Sequence, residues 1–317
     1  MTRQMPCWVY ALAIGCVDYG VHGEDPVEGE QVVIEEHFTQ APAPAVDMLW
    51  VVDDTASMAH EQAALAEGFR AFAEALVEAG IAYQLGVITT DVLGDDAGVL
   101  QGVPWIITPE QDDPAAAFSQ AVQVGTDGAG PEAGLAAVLL ALDEEHLAGP
   151  NRGFRRSEAL LHVVVVSDSD DRSDEVLDDD PVAAVLEEFA AQGAAADLPV
   201  LFSAVAGDLP MGCTGVAGRA PAAEVYHQVV DATGGVFASI CALDMAPVVR
   251  GLGVASVVYP DTFVLQARPD PATVAIWIDD ARLDGGWDLR VEPPAVVLDE
   301  PPQPDAEVTV RYAVLEE

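Results

Sequence analysis

The stretch Val46-Asp47-Met48-Leu49-Trp50-Val51-Val52-Asp53-Asp54-Thr55-Ala56-Ser57-Met58 constrains what this chain can fold into. Met48 to Val52 is continuously apolar, which suits a strand buried on both faces. The run ends in Asp53-x-Thr55-x-Ser57, and a helical pattern begins at once. A carboxylate and two hydroxyls are therefore placed at the C-terminal tip of a central strand, where open α/β sheets bind ligands. Hard oxygen donors turned toward one point suit Mg²⁺, Mn²⁺ or Ca²⁺. The plainer alternative is a strand followed by an Asp/Thr/Ser helix cap.

Further along, the same alternation recurs. Helical periodicity from Met58 to Ala79 places Ala64, Leu65, Phe69, Phe72, Leu76 and Val77 on one stripe. Strands are expected at Ile81 to Thr89, at Leu100 to Ile107 (an edge strand, because Pro104 interrupts it), at Leu160 to Val166, at Leu198 to Ala206 and at Gly234 to Ile240. Helices are expected at Ala115 to Val122, from Pro131 to about Leu147, at Pro181 to Gln192, at Ala222 to Ala232 and at Ala246 to Leu252. Strand-helix alternation implies an α/β fold with a doubly wound, mostly parallel sheet flanked by helices. After about Val257 the pattern changes to short alternating strands separated by Gly and Pro, the mark of a small all-β C-terminal domain. The glycine-rich loop Val124 to Glu132 is not a dinucleotide fingerprint, because a helix rather than a strand precedes it.

The N-terminal end reads differently. Residues 1–16 carry one charge, Arg3, then an apolar stretch too short to span a bilayer. This resembles a signal peptide. Its ending, Leu12-Ala13-Ile14-Gly15-Cys16, resembles a bacterial lipobox in which Cys16 becomes the lipidated first residue. Residues 17–45, rich in Gly, Pro and Glu with one β-like run at Gln31 to Glu36, read as a tether. The expected organisation is thus a leader over 1–16, a linker over 17–45, an α/β domain over 46–256 and a small β domain over 257–317.

The charge balance limits the partners. There are 54 acidic residues against 12 basic ones, every one of them Arg, for a net charge of −42. Such a surface repels phosphate backbones and anionic membranes. Nucleic acid is not expected as a partner, and membrane contact is expected only through a lipid anchor at Cys16.

Asp53-x-Thr55-x-Ser57 resembles the first motif of the metal-ion-dependent adhesion site (MIDAS) of the von Willebrand factor type A (VWA) family, Asp-x-Ser-x-Ser, with Thr55 in place of the middle serine. In that family a hydroxyl from a glycine-rich loop and a carboxylate from a later strand tip complete the site. Thr126, in Gly125-Thr126, matches the former, and Asp168, after Val163-Val164-Val165-Val166-Ser167, matches the latter. The resemblance covers about residues 46–253 and is strongest to bacterial secreted and lipoprotein members. It implies a Rossmann-like fold. It also implies a metal (Mg²⁺, or Ca²⁺ or Mn²⁺) held by Asp53, Thr55, Ser57, Thr126 and Asp168. The two carboxylates offset one divalent charge, and the neutral hydroxyls leave the ion attractive to an Asp or Glu of a protein partner.

Asp91, Asp170 and Asp171 also fall at expected strand tips, as supporting groups, a separate Ca²⁺ site or solvated loop charge. Glu132 reads as a charge at a helix start. With Cys7 and Cys16 in the leader region, Cys213 and Cys241 remain as an even pair in an exported chain, and a disulfide is expected between them. No nucleophile elbow, His-Glu-x-x-His, Walker loop or Cys-x-x-Cys occurs, and His162, inside an apolar run, reads as a core residue. The expected function is a non-enzymatic, metal-dependent adhesion module tethered to the bacterial cell envelope. The alternatives are a hydrolase using the same metal to activate water and a metal-stabilised structural lipoprotein.

Overall fold

The computed structural model describes residues 32–43, 45–128, 130–196 and 198–314. The leader and Cys16 lie outside the described residues. Two compact units are present. Pro42–Val258 forms one; the chain from Tyr259 onward, together with the segment before Pro42, forms the other.

The described chain opens with β1 (Val33–Thr39), which belongs to the second unit. The first unit then runs β2 (Ala45–Val52), α1 (Ala59–Glu78), β3 (Ala82–Thr89), α2 (Pro114–Ala121), α3 (Gly134–Leu142), α4 (Glu144–Ala148), β4 (Leu160–Val166) and α5 (Pro181–Ala196). It continues through β5 (Val200–Ala206), the short hairpin strands β6 (Cys213–Thr214) and β7 (Arg219–Ala220), α6 (Glu224–Thr233), β8 (Phe237–Ser239) and α7 (Met245–Ala255). Five strands pair in the order β3-β2-β4-β5-β8, all parallel.

The reason for the continuous apolar runs is visible in the core. Met48, Trp50 and Val52 of β2 pack into one hydrophobic cluster with Phe69 and Phe72 of α1 and Val249 of α7. Leu49 and Val51 face the other way, into a cluster with Leu135 of α3, Val185 of α5 and Tyr226 of α6. Successive side chains of a strand point to opposite faces, so a strand covered on both sides takes apolar residues at successive positions. The buried Asp47 of β2 is tolerated because Arg155 and Arg156 pair with it. This is the doubly wound α/β architecture that the alternation implies.

His162 is the polar exception within β4. It is fully buried, and its two ring nitrogens lie 2.8 Å from Ser256 Oγ and 2.8 Å from Ser203 Oγ. Burial pushes its imidazole down to about 3. A neutral ring between two hydroxyls is satisfied; a protonated one would be a desolvated charge.

Three expectations are corrected. Leu100 to Ile107 is not a strand: it touches β3 through Gln101 N to Val87 O (2.7 Å) and a single bridge between Leu85 and Ile107. Pro104 has no N–H to donate to a ladder. The helix expected from Pro131 to Leu147 starts later, at Gly134, and breaks at Asp143, whose side chain accepts from His146 N and caps α4. And Val33–Thr39, placed in the tether by composition, is a strand.

That strand pairs antiparallel with β14 (Glu307–Ala313) through seven residues, Val33 opposite Ala313 and Thr39 opposite Glu307. The remaining strands of the second unit are β9 (Thr262–Val264), β10 (Ala275–Ile278), β11 (Ala281–Leu283), β12 (Trp287–Val291) and β13 (Pro294–Leu298). They form two antiparallel sheets, β1-β14-β10-β11 and β12-β13-β9. Ile276, Val296, Val308, Val310 and Tyr312 fill the core. The second correction of the tether is chemical: Glu36 is buried and accepts from Tyr312 Oη and Gln266 N.

His162 sets an acid limit on stability. The unfolded chain takes up a proton near pH 6.5, whereas the folded chain resists until about pH 3. Stability therefore falls as pH drops through this window, by roughly 1.4 kcal/mol per pH unit for this one proton. Urea unfolding of wild type and His162→Asn between pH 7 and pH 4 should show a shallower acid loss in the variant, which is also less stable at neutral pH. Parallel curves would exclude His162 as the source.

Candidate metal centre

β2 and β4 are neighbours in the sheet, so their C-terminal tips deliver Asp53 and Ser167-Asp168 side by side. Asp53 N donates to Val166 O at 3.0 Å, extending the ladder one residue past β2. The Asp53 side chain is fully buried. Its Oδ1 accepts from Thr55 N (2.9 Å) and Thr55 Oγ1 (2.6 Å), and its Oδ2 accepts from Ser167 Oγ (2.7 Å). Thr55 Oγ1 lies 3.3 Å from Ser57 Oγ. Ser57 also bears on the Asp168 carboxyl, where its hydroxyl acts to lower the pKa. A run of hydrogen-bonded oxygens thus links Ser167, Asp53, Thr55 and Ser57. Of the five residues singled out in the sequence, it joins Asp53, Thr55 and Ser57, and Asp168 stands beside it past the tip of β4. Thr126 stands outside it.

Thr126 is brought to the same edge by its loop. Gly128 N donates to Asp54 O at 2.9 Å. A Cβ on Gly128 would lie 2.4 Å from Asp54 Oδ1, so only glycine permits this approach. Gln62, in the second turn of α1, donates from Nε2 to Asp53 O (2.9 Å) and to Gly125 O (2.8 Å). One buried amide therefore clamps the first motif to the glycine-rich loop. Gln62 and Ser167 were not singled out from the sequence, because their partners are distant in the chain.

The electrostatics are one-sided. Burial pushes the Asp168 carboxyl up; the Ser57 hydrogen bond opposes this, and Asp53 and Glu132 add to it. Asp54 is pushed up to about 6, first by burial and then by Asp91, Asp53 and Asp96. Burial also raises Glu61, with Asp168 and Asp53 contributing. Glu132 pairs with Arg172 at 3.5 Å. Desolvated carboxylates that raise one another's pKa are the electrostatic form of a cation site. The donor set of two carboxylates and neighbouring hydroxyls fits a hard divalent ion. Among the described residues no three His, Cys, Asp or Glu side chains gather around one point.

The other acidic residues at this edge have structural partners. Both oxygens of Asp170 accept backbone N–H groups at the start of α6, from Glu224 (2.9 Å) and Val225 (3.1 and 3.2 Å). Asp171 accepts from Leu135 N at 2.9 Å and Ser173 Oγ at 3.0 Å, and Ser173 Oγ accepts from Ala136 N at 2.9 Å. The first free N–H groups of α3 are thus satisfied from the loop after β4. Asp91 Oδ1 accepts from Leu93 N at 2.8 Å. Cys213 and Cys241 are bonded, and the bond staples the β6–β7 hairpin to the end of the strand edge after β8.

Gln62→Leu should remove the Nε2 donor from the buried Asp53 carbonyl and from the more exposed Gly125 carbonyl, at a cost of about 1–3 kcal/mol, most of it at Asp53. It should also loosen the glycine-rich loop. Hydrogen exchange should then speed up at Gly128 N, with chemical denaturation reporting the stability loss. An unchanged exchange rate at that amide would contradict the clamp.

No family model matches the chain, and no curated protein matches it. Several solved structures are similar to it at low identity. One is a von Willebrand factor type A protein from Catenulispora acidiphila, at 13% identity over 92% of this chain and 67% of that one, with a TM-score of 0.40. Another is proximal thread matrix protein 1 from the mussel byssus with a zinc-occupied MIDAS motif, at 13% identity over 69% of this chain and 47% of that one, TM-score 0.38. A third is the pilus adhesin SpaC from Lactobacillus rhamnosus GG, at 12% identity over 89% and 40%, TM-score 0.38. The alignments take in less than half the length of the mussel and Lactobacillus chains.

Proposed function

We propose that the sheet unit is a divalent-metal-dependent binding module of the von Willebrand factor type A kind. The observation that carries this reading is the hydrogen-bonded run Ser167–Asp53–Thr55–Ser57, with Asp168 beside it, at the tips of two adjacent parallel strands. Its two carboxylates are desolvated in the company of other acids, and a divalent ion supplies the missing positive charge. Asp53, Thr55, Ser57 and Asp168 would hold the ion, with the Thr126 hydroxyl contributed by the clamped loop. Bound there, the ion offers an electrophilic position to a carboxylate from outside. The protein's part is to fix the donors beforehand: Gln62 sets the loop, and Ser167 and Thr55 fix the Asp53 carboxylate. The partner is a protein presenting Asp or Glu, and the activity is recognition rather than catalysis.

Asp53 is buried and bonded on both oxygens, so Asp53→Ala would strand the Ser167 hydroxyl as well as remove a charge. Asp53→Asn keeps the shape and an acceptor. Calorimetry with Mg²⁺ and Mn²⁺ should show affinity reduced by about tenfold or more, on the order of 1.4 kcal/mol, in Asp53→Asn and Asp168→Asn. Thr55→Ser should be mild, and the exposed Asp178→Ala should be neutral. Equal affinity in wild type and Asp53→Asn would remove the metal from the account.

The module is further proposed to be an envelope lipoprotein anchored through Cys16, a reading supported by the sequence Leu12-Ala13-Ile14-Gly15-Cys16. Mass spectrometry of the mature N-terminus should find a lipidated Cys16. An exported chain still carrying Met1 would end this part of the proposal.

A further inference from the structure

Beside the proposed ion site lies a second concavity. His60, Glu61 and Asp168 line one side, the β6–β7 hairpin from Gly215 to Ala220 lines another, and Ile240 to Leu243 closes it, around a volume of about 100 Å³. Its polar content is unusual. Glu61 is only 7% exposed, yet its Oε2 has no hydrogen-bond partner. An unpartnered buried carboxylate oxygen costs free energy unless something outside the chain completes it. Arg219, at the exposed rim, also lines the cavity, so the mouth carries one cation while the floor carries an unmatched acid.

The walls narrow the chemistry of the occupant. Val216 and Leu243 line the cavity with 74% and 92% of their surface exposed, and Met211, nearby in sequence, is 79% exposed. Exposed apolar side chains grouped around a polar floor mark an interaction surface rather than a solvated loop. An apolar wall over a buried acid suits a methylene stem with a charged tip. The wall is also held in place. The disulfide between Cys213 and Cys241 ties the hairpin to the Ile240–Leu243 segment that faces it, and a surface held beforehand loses less entropy on binding.

We propose that this cavity receives a lysine side chain of the partner protein, its ammonium group paired with the Glu61 carboxylate and its stem lying between Val216 and Leu243. The proposal rests on the metal-dependent reading only for the partner being a protein that also reaches the ion. The recognised element is then a two-charge one. A partner carboxylate meets the ion, and a neighbouring ammonium meets Glu61 on the far side of Asp168. Asp168 is the residue common to both sites.

The probe is n-butylammonium, with 1-butanol as its uncharged counterpart, added to the full chain at neutral pH and followed by NMR shifts of the Gly215–Gly218 amides. The experiment is run in EDTA and in Mg²⁺. Butylammonium should give saturable shifts and butanol none. Glu61→Gln should weaken the ammonium by about tenfold or more while leaving Mg²⁺ affinity unchanged. Val216→Arg, a change on an exposed wall, should weaken it as well by adding a second cation at the mouth. Asp53→Asn should do the reverse, losing Mg²⁺ and keeping the ammonium, so that failure of the ion site and failure of the cavity are read separately. Equal binding of butanol, or of butylammonium to Glu61→Gln, would overturn the proposal. So would a loss of Mg²⁺ affinity in Glu61→Gln, which would assign Glu61 to the ion instead.

Discussion

The Asp53 carboxylate is the interaction on which the functional edge depends. One oxygen is held by Thr55, the other by Ser167, and these two residues belong to loops leaving different strands. A buried carboxylate accepting three hydrogen bonds is far more constrained than a solvated one, because each acceptor left open in a dry site is costly. The same contacts that satisfy it therefore align the tips of β2 and β4. Gln62 extends the arrangement to a third segment, the glycine-rich loop, through two main-chain carbonyls. Positioning and burial are thus a single device at this edge, with few atoms free to adjust.

The net charge of −42 takes on a different meaning in this setting. Most of the acid is spread over the surface, where water and salt screen it. At the edge of the sheet, burial removes that screening, and Asp54, Asp168 and Glu61 are all raised by it. Asp170 and Asp171 of the same region face backbone N–H groups instead, at the starts of α6 and α3, although burial still pushes Asp171 up to about 6. The distinction between a helix-capping acid and an ion-seeking one lies in what the carboxylate faces, and the residue type alone does not reveal it.

This is also where sequence reading reaches its limit. Strands β2 and β4 were legible because burial on both faces writes an unbroken apolar run, and the turn after β2 was legible because its three oxygens are close in sequence. Gln62, Ser167 and Glu61 were not, because each acts on an atom from a distant segment or lines a cavity made by one. Leu100 to Ile107 carries strand-like residues but lacks a continuous ladder to join. Val33–Thr39 was hidden for the opposite reason: its ladder partner, β14, lies 280 residues away at the Val33–Ala313 pair, and a lone β-like run within Gly- and Pro-rich sequence reads as linker.

That pairing has a consequence for how the chain assembles. β1 is made early and its partner late, so joining them directly would close a loop of more than two hundred residues, a slow and entropically unfavourable event. The sheet unit lies wholly between the two strands, and its own ends meet: Ala43 N donates to Val258 O at 2.8 Å. Once the sheet unit has folded, Thr39 and Tyr259 are separated by a few residues of chain and one hydrogen bond. The long loop becomes a short one, so loop-closure entropy favours an order in which the sheet unit folds first. The two halves of the β unit are then joined across a short gap rather than through more than two hundred residues of open chain.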